Sequence, residues 1–141
     1  MQGRDFLDVA KNLARSHYEA SLRSAISRAY YALLNSAVQF LLELGFHVGQ
    51  GPGKHGEVHH RLFNCGLEQM VEFSKLLDEL RRRRNDADYD MSSAQFQSQP
   101  TCALWVANAE LAIGYLVDCN KEPLRSQIRA GIREYEGKMV S

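Results

Sequence analysis

The chain of 141 residues suits one domain, and at 45% hydrophobic and 24% charged it can bury a core and is not of a disordered type. Seventeen Lys+Arg balance seventeen Asp+Glu, which excludes a uniformly basic nucleic-acid coat but leaves room for a local basic patch. Cys65, Cys102 and Cys119 are an odd number with no short-spaced pair, against a disulfide framework or a zinc ribbon and suited to a reducing compartment.

Met1 to Asp5 shows no apolar stretch of a signal peptide, and no apolar run approaches the roughly 20 residues that a membrane span needs. The expected location is the cytoplasm, with no membrane partner. In chain order, a first helix is expected from about Asp5 to Tyr18, with Phe6, Val9, Ala10 and Leu13 on its apolar face. A long second helix runs from Tyr18 or Glu19 to Leu44, apolar at Leu22, Ile26, Ala29, Tyr30, Leu33, Ala37, Phe40 and Leu41. Ala25, Ala32, Leu34 and Val38 add a second apolar face, which places this helix centrally, and Gly45 suits its C-terminal cap.

The glycine-rich connection Gly49 to Gly53 leads to a short helix around Glu57 to Asn64. The next long helix carries Leu67, Met70, Ser74, Leu77 and Leu80 in register. Ser92 to Pro100 is a polar break. Beyond it Cys102, Trp105, Val106, Ala109, Ala112, Ile113, Leu116 and Val117 form a stripe, and Leu124, Ile128 and Ile132 mark a final, more exposed helix. Pro52, Pro100 and Pro123 fall where the apolar period breaks. With no repeat and no alternating strand, the expected fold is all-α: an antiparallel up-and-down helical bundle with an additional C-terminal helix, one domain over residues 1–141.

The most informative stretch is Arg81 to Arg84, leading into Asn85-Asp86-Ala87-Asp88-Tyr89. Arg81, Arg82 and Arg83 are explained as helix-end and surface charge. Arg84 differs. It lies four positions beyond Leu80 and seven beyond Leu77, in the phase of the apolar stripe, and Asp88 follows one turn later. An arginine and an aspartate at this spacing can pair, and a partly desolvated pair marks a site or a dimer contact as readily as a structural lock.

Two segments carry a resemblance. Ser27-Arg28-Ala29-Tyr30-Tyr31-Ala32 and Arg84-Asn85-Asp86-Ala87-Asp88-Tyr89-Asp90 resemble the second-helix signature and the Arg-x-x-Ala-Asp-Tyr ending of a bacterial and archaeal subgroup of the HEPN family (higher eukaryotes and prokaryotes nucleotide-binding). Lys54-His55-Gly56-Glu57-Val58, with Phe63, is a weaker match between them. The resemblance spans about Ala20 to Asp90. It implies a homodimeric helical bundle that binds or acts on RNA or nucleotide, in some branches as a metal-independent RNase toxin paired with a nucleotidyltransferase.

In the active branches an arginine clamps the phosphate and a histidine four to six residues later serves as general base. Arg84 matches the arginine, whereas Tyr89 stands at the histidine's place. A phenol with pKa near 10 is a poor base at neutral pH. It can donate a hydrogen bond, stack on a base or accept a nucleotidyl group. The candidate catalytic residues are therefore Arg84 and Tyr89, and the candidate nucleotide, RNA or interface residues are Arg28, Tyr31, Asp88 and His55.

Arg28 is expected to line the same polar pocket as Arg84 and Asp88, with Ser24 and Asn35 as further contacts, and Tyr30 to pack in the core with its hydroxyl bonded. Cys102 and Cys119 read as small core residues. His55 and His59 are four apart, but the order is not His-Glu-x-x-His and no third ligand has matching spacing, so no metal is expected. The segment Gly49 to Lys54 fails as a phosphate loop, and no cofactor is implied.

Overall fold

The structure, a computed structural model, describes residues 1–140 and is all-helical over them. The helices are α1 (Gly3–Leu13), α2 (Glu19–Glu43), α3 (Lys54–Phe63), α4 (Glu68–Tyr89), α5 (Gln99–Cys119) and α6 (Leu124–Val140), with a 3-10 turn at Ala94–Gln97 before α5. Short connections fold consecutive helices back on one another. The long α2 lies at the centre, packed on α1, α3, α4 and α5. This central position explains its two apolar faces: Leu22, Ala25, Ile26, Ala29, Tyr30, Ala32, Leu33, Leu34, Ala37, Phe40 and Leu41 are all buried.

The ends of α2 are set by backbone chemistry. Gly45 adopts φ +96°, the left-handed conformation that closes a helix, and Phe46 N–H returns to the Leu41 carbonyl at 3.0 Å. Arg125 Nη2 and Arg129 Nε from α6 donate to the Glu43 and Leu44 carbonyls at 2.9 and 3.0 Å, so the last helix covers this end. Only Ile128 and Ile132 of α6 are buried, as its weak apolar stripe implies.

α1 departs from expectation in extent and in part of its face: Phe6, Ala10 and Leu13 meet the core as expected. It stops at Leu13, because Arg15 and Ser16 N–H turn back to Asn12 and Leu13 and the chain must reverse into α2. Its buried residues are Gly3, Leu7 and Ala10, while Val9 is exposed. The reason is close contact at Gly3: a Cβ there would sit 2.6 Å from Ser36 N, so only glycine lets α1 approach α2 on this side. α3 starts earlier than expected, at Lys54.

α5 is the one helix among the described residues that is long and apolar enough, by length and composition, to cross a membrane. Here Cys102, Val106, Ala109, Ala112, Ile113, Leu116 and Cys119 are buried, and the helix packs on α1, α2 and α4. Val117, expected in the stripe, is exposed and Trp105 is half-buried. All three cysteines are free and buried, and burial first, with Cys65 and Asp118 adding, pushes the Cys119 thiol up to about 11.

Met70, Phe73, Ser74, Leu77 and Leu80 carry α4 into the main core, and Ala87 continues the stripe into a smaller cluster with Leu22, Ile26, Phe96 and Cys102. Phe96, 1% exposed, pins the 3-10 turn under the end of α4. Burying such a side chain contributes about 1.5–3 kcal/mol, enough to fix this turn in a segment that otherwise reads as polar.

Candidate functional site

The last two turns of α4 are held from below by Arg23. Its Nη1 donates to the Ala87 and Asp90 carbonyls at 2.9 Å each and to Asp86 at 3.3 Å, and its Nη2 donates to Met91 and Ser93 at 3.3 and 3.2 Å. The guanidinium lies 4.7 Å from the centre of the Phe96 ring. One buried cation thus satisfies the carbonyls that a helix end leaves without partners and complements the negative end of the helix dipole. Sequence reasoning missed Arg23. The signal was a charge beside Leu22 in the buried phase of α2, four residues from Ser27.

On this platform stands Arg84. Its Nε is buried and lies 3.0 Å from Asp88 Oδ2, yet the N–H is not aligned on the carboxylate, so the pair is Coulombic rather than a directed hydrogen bond. Nη1 donates to Asn85 Oδ1 at 3.0 Å. With side-chain exposures of 20% and 31%, the pair is half-buried and contributes on the order of 0.5 kcal/mol. Ser27 Oγ donates to the same carboxylate oxygen at 3.4 Å, a long contact that links α2 to α4. The expected helical pairing of Arg84 with Asp88 is present, but the fully buried position of that turn belongs to Ala87.

Arg28 and Arg84 converge on one ring. Their guanidinium carbons lie 5.6 and 5.3 Å from the centre of half-buried Tyr31. Arg84 also lies 5.7 Å from the Tyr89 ring, which is 75% exposed, and Arg28 lies 5.5 Å from Phe6. Such contacts place each cation near the electron-rich ring, and Arg28, unlike Arg84, keeps its N–H groups free of a carboxylate. Among the described residues Arg28 has no carboxylate partner. The arrangement offers two planar donors and an exposed aromatic ring, suited to a phosphate-bearing, π-faced ligand. Arg82 and Arg83, by contrast, both pair with Glu79, and Arg83 covers Trp105 at 4.6 Å.

Behind Tyr31 a hydrogen-bonded chain runs from buried Tyr30 and His55 to partly exposed Asp78. The Tyr30 hydroxyl donates to His55 Nδ1 at 2.9 Å, and His55 Nε2–H donates to Asp78 Oδ1 at 2.7 Å. His59 Nε2 lies 3.0 Å from the other oxygen of Asp78. These partners fix the neutral His55 tautomer with its proton on Nε2. Burial first holds His55 below the ordinary imidazole range, with Arg81 adding and the Asp78 hydrogen bond opposing. Burial also raises the Tyr30 phenol, against the pull of Arg81 and Arg84. Tyr30 is therefore a core donor. His55, expected at a ligand or interface, is 6% exposed and spent on its two partners.

Asp78 is the second residue that sequence reasoning missed: the partner of the His55 and His59 pair comes from α4, twenty-three residues beyond His55. Even so, no group of three or more His, Cys, Asp or Glu side chains among the described residues is arranged to hold a metal ion. Cavities of about 200, 220, 350 and 420 Å³ lie on the bundle; none is lined by Arg28, Tyr31, Arg84 or Tyr89, and the last shares Phe6 with the Arg28 contact. Compared with known proteins, the chain matches no family model, no curated protein and no solved structure.

Proposed function

We propose that the open face formed by Arg28, Tyr31, Arg84 and Tyr89 binds the phosphate of a nucleotide or RNA, as a HEPN-type homodimer would in the cytoplasm. The observation that carries this reading is the convergence of two guanidiniums on Tyr31, one of them without a carboxylate. The HEPN assignment draws support from the way the two resembling segments meet. Ser27 contacts Asp88, and Arg84 lies over Tyr30 and Tyr31 at 6.0 and 5.3 Å.

Binding is favoured over cleavage. Tyr89 stands where the resemblance places the general base, and His55 and His59 are both engaged by Asp78. The exposed Tyr89 hydroxyl suits acceptance of a nucleotidyl group from a partner nucleotidyltransferase, and that extension of the proposal rests on the resemblance alone.

The test is fluorescence anisotropy of the full chain with a labelled RNA dodecamer in EDTA, competed with unlabelled ATP, followed by analysis of RNA ends. Salt-sensitive binding that weakens at least tenfold in Arg84→Ala, with the RNA intact, supports the proposal. Products with cyclic-phosphate ends that vanish in Arg84→Ala replace it by the RNase reading. If neither RNA nor ATP binds at low salt while Arg84→Ala disrupts a dimer measured by light scattering, Arg84 and Asp88 serve only as an interface lock.

A further inference from the structure

We propose that the cavity bounded by the start of α1, the middle of α2 and the connection before α3 is a nucleobase subsite continuous with the phosphate-binding face. It rests on the nucleotide reading above and adds which part of the ligand is recognised and where. The cavity measures about 420 Å³, and its wall includes Gln2, Phe6, Asn35, Gln39, Gln50 and Lys54.

Arg28, Tyr31 and Asn35 are spaced three and four apart, so they share one face of α2, and the cavity opens one turn beyond the ring that holds both guanidiniums. Phe6 belongs to both places: its ring lies 5.5 Å beneath the Arg28 guanidinium and forms part of the cavity wall. A ligand with its phosphate on Arg28 and Arg84 would therefore direct its remainder along Phe6 into the cavity.

The chemistry of the wall selects the ligand class. A primary amide presents a donor and an acceptor side by side, the pairing that matches the edge of a base. Asn35 is half-buried, and its amide has no protein partner among the described residues. Gln50 Oε1 accepts from Lys54 Nζ at 3.2 Å, which leaves the Gln50 NH₂ to donate. Gln39 Nε2 donates to Glu43 Oε1 at 3.1 Å, which leaves Gln39 Oε1 to accept. The wall thus carries one complete donor–acceptor pair, one further donor and one further acceptor. No carboxylate is part of the wall itself, Glu43 standing behind Gln39, and Lys54 adds positive charge at the wall for an anionic ligand. A phosphate alone would leave the amides unused, and a hydrocarbon would bury them without partners.

The experiment is isothermal titration of the full chain with ATP, GTP, CTP and UTP, and with inorganic tripolyphosphate as a probe that has the charge and no base. At least one nucleotide should bind about tenfold tighter than tripolyphosphate. Asn35→Ala and Gln50→Ala should each remove most of that advantage and leave tripolyphosphate binding within about twofold. Gln50 is on an exposed connection, so its variant tests the subsite even if Asn35→Ala folds poorly. Nucleotides that bind no tighter than tripolyphosphate, or an advantage that survives both substitutions, overturn the subsite and leave the phosphate face standing. If neither nucleotide nor tripolyphosphate binds, the phosphate reading falls and the subsite with it. An RNA octamer of the preferred base that competes at lower concentration than the nucleotide assigns the ligand to RNA, and the reverse order assigns it to free nucleotide.

Discussion

Arg23 on α2 donates to the carbonyl of Ala87 on α4 at 2.9 Å, and through that bond and four longer or equal ones it fixes the turn on which Arg84, Asp88 and Tyr89 are mounted. The guanidinium is almost fully shielded, so its loss leaves several carbonyls without donors. Arg23→Ala should destabilise the chain by about 3 kcal/mol, the scale of losing charged hydrogen bonds in a buried setting, and Arg23→Lys should recover only part of this. Urea titration of both variants checks it. A loss below roughly 1 kcal/mol in Arg23→Ala would mean that solvent already satisfies these carbonyls.

Asp88 competes with any anion for Arg84, because its Oδ2 stands 3.0 Å from the guanidinium. Asp88→Asn should raise the affinity for tripolyphosphate or RNA by a factor of about three to ten, whereas Arg84→Ala should lower it by about ten to one hundred. The two effects are opposite in sign, which a merely structural pair would not produce. Anisotropy titrations at two salt concentrations measure both, and equal weakening in the two variants would count against the site.

His55 makes stability depend on pH. Its folded pKa is depressed, chiefly by burial, so the folded chain resists the proton that the unfolded chain accepts below about 6.5. The contribution is therefore complete above that value and is lost as pH falls through the folded pKa, where the new proton on Nδ1 would face the Tyr30 hydroxyl. Unfolding free energy measured from pH 8 to pH 5 should decline more steeply in the parent than in His55→Gln. Parallel curves would show that His55 is protonated as easily folded as unfolded.

Gly131 is the contact point between α6 and the turn after α3. A Cβ at this position would fall 1.8 Å from the Cys65 carbonyl oxygen, which is backbone and has little freedom to move. Gly131→Ala should cost about 1–3 kcal/mol and should loosen α6 before the rest of the bundle. Hydrogen exchange on the variant should show lost protection over Leu124–Val140 with α2 unchanged. Unaltered protection would mean that α6 shifts without penalty.

Much of the fold was legible in the sequence because helical periodicity is a local property. The extent of α2, the apolar register of α4, the Gly45 cap and the weak face of α6 follow from residues within a few turns of one another. The face of α1 was legible at Phe6, Ala10 and Leu13, which meet the core; Val9 falls outside it and Gly3 and Leu7 inside, because the missing Cβ at Gly3 lets that side of the helix approach α2. Phe96 was passed over because one aromatic in a Gln- and Ser-rich stretch has no period to belong to.

The arginine run divides along the same line. Phase alone separated Arg84 from its neighbours and paired it with Asp88, since both lie on one helix. The meeting of Arg84 with Arg28 at Tyr31, the clasp of Arg23 on the end of α4 and the meeting of His55 and His59 at Asp78 depend on contacts between residues 19 to 70 apart in the chain. Sequence by itself determined which residues could share a helix face. Tertiary structure decided which faces meet, because burial and charge pairing between distant segments depend on how whole helices pack, and no local pattern encodes that.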